Sequence, residues 1–587
     1  MIKLRALLLA AAVALPLAPA MADAPAHAVR HAAAPAALTE SERTNYPEIF
    51  AAIRASDWTG AAARLDGMGD GPLRAVARAE LYLAKGSPKV ELDPLLGLIA
   101  KAPDLPQAGQ LARLASTRGA TQIPYVPEPQ KLIWHSGQPR RERAKSVSGD
   151  PAAAQLESLI QPLIKDNQPQ AAEALLSERE YALAPPALTE FRQRVGWSYY
   201  IVGDYASARR LADKARTGTG EWALQGEWVA ALAAWRLRDC NAAAASFGTV
   251  AARATDVELS AAASYWAARA EMMCGRPERV QPRLAAAARL NETFYGLLAV
   301  SALGITKPAA AYLHDYRDAE WQSIANKPNV RAAIALNEIG ERNLADELIK
   351  HQARIGNASD HNALLHLASD LNLAGTQVWL AHNAPAGARI NMAARYPAPD
   401  WSPVRGWRVD QSLAYAHALQ ESNFRTQAVS PVGASGLMQV RPGTAGDIAR
   451  KRGEYFDPKQ LSEPHYNLEY GQSYLESLRD SGSTGGLLPK VIAAYNAGPV
   501  PISEWNARGI DDGDPLLYIE SIPYWETRGY VPIILRNYWV YEQKAAKDSG
   551  SRKALAQGLW PKFPGLPGPA AVRISGRSVA GTVQGTD

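Results

Sequence analysis

A short phrase recurs along the first part of the chain: a turn residue, a polar or aromatic pair, then an alanine-rich run. It reads SDWTGAAARL at 56–65, NQPQAAEALL at 167–176, GDYASARRLA at 203–212, RDCNAAAASF at 238–247, GRPERVQPRL at 275–284 and GERNLADELI at 340–349. The starts at 203, 238 and 275 lie roughly 35 residues apart, the length of one helix–turn–helix unit of a tetratricopeptide-like solenoid. Small alanines let paired helices approach closely. Plentiful alanine and scarce phenylalanine favour packed helices over a sheet-rich core. A helical bundle without repeats is the other arrangement the pattern allows. The expected fold class is all-α, with a helical superhelix over 41–383.

A chain of 587 residues is too long for one compact core, so more than one domain is expected. It opens with Lys3 and Arg5, an apolar run from Ala6 to Leu17, and Ala20-Met21-Ala22, which fits a small-x-small cleavage site. Residues 1–22 read as a secretory signal peptide, cleaved near Ala22 and followed by a flexible segment at 23–40. Pro16 breaks the run, and no other apolar stretch is long enough to span a bilayer, so no membrane span is expected. The mature protein is expected in an exported compartment, most simply the periplasm. Without Lys3 and Arg5 the formal charge falls from +5 to +3. That excess is too small and too evenly spread for nucleic acid, but it would not repel an anionic polymer.

Cys240 and Cys274 form no CxxC pair, and two ligands do not make a zinc site; no metal or cofactor is called for. Export permits a disulfide. In the repeat register Cys240 opens the second helix of one unit and Cys274 closes the first helix of the next. Antiparallel neighbours bring such ends to one level, so a disulfide and a pair of free thiols are both open. Residues 123–150 are irregular, and their basic run Arg140-Arg141-Glu142-Arg143 reads as a solvated loop. Residues 384–407 are rich in Pro and Gly and read as a linker. A second helical domain is expected at 408–545, and a Gly, Ser and Pro rich tail at 546–587 is expected to be disordered.

Within that domain stands QESNFRTQAVSPVGASGLMQV at 420–440, with one acidic residue, Glu421. Asp410 can cap a helix whose Val409, Leu413, Ala416 and Leu419 follow a helical period. The helix should end near 421–423, since polar residues and Ser430-Pro431 prevent continuation. Glu421 then sits at the negative end of a helix dipole, which raises its pKa. A carboxyl kept neutral near pH 7 suits a general acid. A solvated glutamate at a helix end is the plainer reading of that spacing.

Four motifs follow in order: Glu421-Ser422; Gly436-Leu437-Met438-Gln439; Ala494-Tyr495-Asn496-Ala497-Gly498; and Glu520-Ser521-Ile522-Pro523 with Glu526-Thr527-Arg528-Gly529-Tyr530-Val531. Together they resemble the signature of the soluble lytic transglycosylases, enzymes that cleave the glycan of bacterial peptidoglycan. Phe294-Tyr295-Gly296 within an alanine-rich solenoid resembles the larger members. The resemblance implies a lysozyme-like helical domain packed against the superhelix, with Glu421 as single acid/base. It implies a groove lined by Gly436, Leu437, Met438 and Gln439. Tyr495 and Asn496 would stand beside the reacting sugar, and Glu520 and Tyr530 on the far wall. Arg441 stands where many relatives place an apolar residue; a cation there suits an acidic peptide stem or a lactyl group. Pro499-Val500-Pro501 should stiffen the loop after the third motif.

Each of these has a structural alternative. Gln439 reads equally as a buried amide serving loop backbone, Tyr495 as core, and Glu520 as a partner of Arg528 or Arg536. His417 and His465 have no ligand spacing and read as surface or core. Tyr524, Trp525, Trp539 and Tyr541 form either a sugar-stacking set or core. The expected function is non-hydrolytic cleavage between N-acetylmuramic acid and N-acetylglucosamine, giving 1,6-anhydromuramoyl ends. A hydrolytic muramidase and a non-catalytic glycan- or protein-binding scaffold are the alternatives. Peptidoglycan strands are the expected partner, with cell-wall synthesis or remodelling proteins as candidates for the superhelix.

Overall fold

A computed structural model describes residues 35–135, 137–305 and 318–575. The leader expected at 1–22 lies outside the described residues, as do 23–34. The described chain is almost wholly helical, from Glu40–Arg54 to Gly550–Ala556, with two short strand pairs. No described helix is long and apolar enough to cross a membrane.

The recurring phrase has a local cause. Ser56, Asn167, Gly203, Arg238, Gly275 and Gly340 all have positive φ, which turns the chain sharply. The next residue is in each case the N-cap of a helix. Asp57, Asp204 and Asp239 accept from the backbone N–H of Gly60, Ser207 and Ala242 at 2.9, 3.0 and 3.0 Å. The helices Pro185–Val202, Tyr205–Arg216, Glu221–Arg236, Cys240–Arg253 and Val257–Met273 then pack each against the next. The approach is close: a Cβ on Gly226 would lie 2.8 Å from the Cβ of Ala215. Cys240 is the first residue of its helix and Cys274 caps the end of Val257–Met273. They are joined by a disulfide, with Cα atoms 5.4 Å apart.

The superhelix closes on itself. Glu338 accepts from Ala37 N at 2.5 Å and from Arg43 Nη2 at 2.9 Å, and Asn329 Nδ2 donates to Asp104 O at 2.7 Å. Strand Ile133–Trp134 pairs antiparallel with Asn383–Ala384. One hydrophobic cluster joins Tyr46, Ile49 and Leu111 to Val330, Ile334 and Leu364.

The irregular stretch after the first helices is a strap rather than a free loop. An extended segment has no internal partners for its backbone, so it must find them elsewhere. Gln130 N donates to Arg354 O and His135 N to His382 O; Glu142 N donates to Asp256 Oδ2 and Val147 N to Glu190 Oε2. Arg536 Nη2 donates to Gln138 Oε1 at 2.8 Å. The reading of the basic run as solvated fits the exposed Arg140 and Arg143 but fails for Arg141, whose side chain is largely buried.

The C-terminal unit packs Gln411–Ser422 against Trp525–Lys544, with Pro464–Arg479, Leu488–Ala497 and Pro515–Ser521 around them. The stretch before it is fastened down: the hydroxyls of Tyr415 and Tyr541 donate to Pro399 O and Pro397 O at 2.5 and 2.9 Å. The disordered tail expected from 546 is not what forms. Gly550–Ala556 is a helix, and Trp560–Pro561 pairs with Ala571–Val572. Leu555, Trp560 and Phe563 are buried, and Trp560 Nε1 donates to Gly513 O at 2.9 Å. Three large apolar side chains order a segment whose composition otherwise suggests a coil. Residues 576–587 lie outside the described residues.

Replacing both cysteines with alanine should lower stability by about 3–4 kcal/mol on chain-entropy grounds, since the bond joins positions 34 residues apart. Denaturant unfolding should show an earlier midpoint for the superhelix.

Candidate active site

Asp410 Oδ1 accepts from Ser412 N at 2.8 Å and starts the helix that carries Glu421. The helix ends at Ser422 because Asn423 and Phe424 both take positive φ, at 51° and 60°. The stop lies where the sequence predicts it, within 421–423, but left-handed Asn423 and Phe424 make it rather than Ser430-Pro431 further on. Ser422 Oγ donates to Ala418 O at 3.1 Å and to Leu437 O at 2.8 Å, tying the helix end to the glycine loop.

Glu421 is partly exposed and does not stand free in solvent. Tyr530 donates its hydroxyl hydrogen to Glu421 Oε1 at 2.5 Å. The Tyr530 oxygen lies 2.8 Å from His417 Nδ1, so it accepts from that nitrogen and the imidazole is the Nδ1–H tautomer. His417 has 0% exposure, and burial pushes its pKa down to about 3, so the ring is neutral. Its Nε2 has no hydrogen-bond partner. Glu421 is pushed up to about 7, mainly by burial. The Tyr530 hydrogen bond pulls the other way, and the charge of Glu526 adds a smaller upward push. Desolvation outweighs the hydrogen bond, and the carboxyl is poised between its two forms near neutral pH. The helix dipole invoked from sequence has the same sign as this shift.

His417 was read as a lone core or surface histidine. Its role becomes visible only with Tyr530 in place, although its spacing of four from Glu421 puts both on one helix face. Tyr530 was expected on a far wall; it touches Glu421 directly.

The glycine loop differs from expectation in its side chains. Gly436 has φ of 74°, and a Cβ there would meet Leu461 O at 2.1 Å and Asn467 Nδ2 at 2.2 Å. Asn467 fastens the loop, donating to Leu461 O and Ser435 O and accepting from Met438 N. Leu437 and Met438 are fully buried. Their side chains are core, which corrects the reading of them as groove lining; only their backbone serves the site. The Gln439 amide nitrogen donates to Ala428 O at 3.1 Å and Gly436 O at 2.9 Å, so it is a loop brace. Arg441 is exposed just before the helix Pro442–Arg452.

Tyr495 is part core and part site. Its hydroxyl donates to Met438 O at 2.7 Å and its ring lies 4.5 Å from His417. Asn496 accepts from Thr527 Oγ1 at 2.6 Å and approaches the exposed Glu526 at 3.4 Å. Glu526, from the fourth motif, is thus a second carboxylate whose charge reaches Glu421. Trp539 and Tyr541 are core, while Tyr524 is half exposed.

Glu520 is a structural residue. It is 1% exposed and takes Arg141 Nη1 and Nη2 at 2.6 and 3.2 Å and the Tyr295 hydroxyl at 2.7 Å. The expected substrate contact is therefore blocked by the strap and the superhelix. The structural alternative named the wrong arginine: the partner is Arg141, not Arg528 or Arg536. Sequence distance hid it, since 379 residues separate the pair.

A helical superhelix closing on a helical domain with one poised glutamate defines the class: a solenoid joined to a lysozyme-like unit. Residues 404–514 match the family described as Transglycosylase SLT domain. That match is confined to the C-terminal unit of the chain. The chain is 39% identical over 154 residues to the soluble lytic murein transglycosylase of Salmonella typhimurium, covering 26% of this chain and 23% of that one. It is 40% identical over 132 residues to the protein of the same name from Escherichia coli K12, covering 22% and 20%. These matches thus span less than a quarter of either relative's length. In structure the chain is similar to the 70 kDa soluble lytic transglycosylase SLT70 of Escherichia coli, with TM-score 0.54 and 18% identity over 89% of this chain and 99% of that one. It is also similar to an inactive mutant of the lytic transglycosylase Slt of Pseudomonas aeruginosa, with TM-score 0.51 and 19% identity over 87% and 88%. At such identities the likeness is one of fold.

Two outcomes follow from this geometry. Arg141→Met leaves Glu520 buried without its cation and should cost about 3–5 kcal/mol, read as an earlier thermal or denaturant transition. Tyr530→Phe removes the hydrogen bond that favours ionised Glu421. The Glu421 titration, followed by the 13C shift of its carboxyl carbon, should then move above the wild-type midpoint near 7.

Proposed function

We propose that this protein is a lytic transglycosylase that cleaves the β-1,4 bond between N-acetylmuramic acid and N-acetylglucosamine in peptidoglycan. One observation carries the reading: a single partly enclosed glutamate, held by a tyrosine hydroxyl and poised near pH 7, at the position of the family's acid. Most glycosidases use two carboxylates; substrate-assisted enzymes are an exception.

In this mechanism neutral Glu421 donates its proton to the bridging oxygen as the bond to C1 breaks. The 2-acetamido carbonyl of the muramoyl sugar stabilises the cationic C1. Ionised Glu421, still bonded to Tyr530, takes the proton of that sugar's O6 hydroxyl. O6 closes on C1, the 1,6-anhydro ring forms, and Glu421 returns to its neutral form without water. An intramolecular hydroxyl has a large effective-molarity advantage over solvent. Tyr530 serves both halves of the cycle: its hydrogen bond eases ionisation of Glu421 without abolishing the neutral form. His417 is a positioning residue, since its Nδ1–H orients the Tyr530 hydroxyl. Tyr495, Asn496 and Arg441 remain the candidates for sugar or peptide contact, and Gln439 would act by shaping the loop. A periplasmic site of action follows from the substrate and from the leader read at 1–22, and the superhelix offers surface for cell-wall proteins.

Glu526 favours a second reading, hydrolysis by a water held between two carboxylates. The products separate the two. Digested sacculi should yield muropeptides with anhydro ends, lighter by one water than hydrolytic products. Glu421→Gln should abolish release, and unchanged release would end the assignment. Because the acid must be protonated, the rate should fall as pH rises through about 7.

A further inference from the structure

A cleft lies at the junction of strap, superhelix and the helix Trp525–Lys544. Its volume is about 40 Å³, roughly three times what one water needs. Arg140 and Arg141 line it from the strap, Glu258 and Tyr295 from the superhelix, Glu520 from the helix Pro515–Ser521, and Trp525, Arg528, Pro532 and Ile533 from the helix Trp525–Lys544. Residues 525, 528, 529, 532 and 533 follow one face of that helix. Tyr530, which holds Glu421, is not among the residues lining the cleft. The proposed reaction makes no use of this cleft, and the inference stands independently of it.

The charges in the cleft do not balance. Arg141 is matched by Glu520 in a two-pronged ion pair. Arg528 and Arg140 make no ion pair among the described residues. Arg528 sits over two indoles, its Cζ 4.1 Å from the centre of the Trp197 ring and 5.1 Å from that of the Trp525 ring. Burial first, and then the neighbouring Arg141, push its pKa down to about 9, against the pull of the Glu520 charge. Arg528 is thus a buried cation, and the carboxylate whose charge reaches it is already bonded to Arg141. Glu258, on the opposite wall, is 6% exposed. Its Oε1 accepts from Phe294 N at 3.0 Å, and its Oε2 is buried with no hydrogen-bond partner. Burial pushes this carboxyl up to about 7 against the pull of Arg536 and Arg141. In its neutral form Oε2 carries a hydrogen to donate. The cleft thus offers two guanidinium groups without an ion pair and one acid O–H, beside a Glu520 carboxylate already taken up by Arg141 and Tyr295.

We infer that this cleft binds the side-chain carboxylate of a short acidic peptide, held by Arg140, Arg528 and the Glu258 hydroxyl. Planar guanidinium forks match the two oxygens of a carboxylate. Glu520 and the titrating Glu258 limit the excess positive charge, which suits one negative charge better than the two of a phosphate. The half-exposed Trp525, Pro532 and Ile533 give the mouth an apolar rim, which suits a peptide rather than a bare ion.

The test uses the full chain at constant ionic strength, with N-acetyl-Ala-Glu-amide, N-acetyl-Ala-Gln-amide, acetate and inorganic phosphate followed by calorimetry. Saturable binding of the Glu peptide is expected, at least tenfold tighter than the Gln peptide and tighter than acetate or phosphate. Arg140→Gln and Arg528→Gln should each weaken it about tenfold or more. Arg140 is exposed, so its variant decides the matter if the Arg528 variant does not fold. No saturable binding, equal binding of both peptides, a preference for acetate or phosphate, or unchanged affinity in Arg140→Gln would overturn the inference.

Discussion

The carboxylate of Glu520 is the point on which the architecture turns. Three distant parts of the chain meet there: Arg141 from the strap, Tyr295 from the superhelix and Glu520 itself from the last helices of the C-terminal unit. A charge this deep is tolerable only with its partners present. The superhelix and the domain therefore cannot separate without exposing or stranding it. The helix Trp525–Lys544 follows Glu520 by a few residues and carries Tyr530 on one face and Arg528 on another. Fixing Glu520 fixes the start of that helix, and so sets where the Tyr530 hydroxyl meets Glu421.

The same enclosure sets the chemistry. In water Glu421 would be ionised and useless as an acid at neutral pH. Burial alone would hold it neutral. The Tyr530 hydroxyl moderates this effect, and a buried, neutral His417 keeps that hydroxyl pointed at the carboxylate. A charged imidazole there would add a positive charge to the network and favour ionised Glu421. Desolvation of His417 is thus part of the tuning of Glu421, although the two side chains are linked only through a third.

Features written locally were legible in the sequence. The turn–Asp–alanine phrase announces positive φ, an N-cap and a close helix pair within a few residues, and so fixed the superhelix and the levels of Cys240 and Cys274. The helix of Glu421 was legible for the same reason. What failed depended on partners far away in sequence. Arg141 looked like one cation in a solvated run, and nothing near it indicates a carboxylate at position 520. Leu437 and Met438 sit in a motif that shapes a groove, but their side chains turn into the core because Gly436 presses against Asn467. Gln439 faced both ways on paper, and the carbonyls of Ala428 and Gly436 claimed its amide. The tail after Lys547 was misjudged from composition, where position matters: Leu555, Trp560 and Phe563 meet surfaces that only the assembled fold provides.

The strap explains why so much of the molecule is needed around so small a reacting centre. A lysozyme-like unit can bury one glutamate by itself, but here the wall behind Tyr530 is built on Glu520, and Glu520 is neutralised from outside the domain. Removing the superhelix would remove Tyr295 and Arg141 together. The buried carboxylate would then lose both its cation and its hydroxyl donor, which loosens the start of the helix that carries Tyr530. The superhelix is thus a structural part of the candidate site, and its contribution to Glu421 runs through packing and charge neutralisation at Glu520, not through any contact with the Glu421 carboxyl.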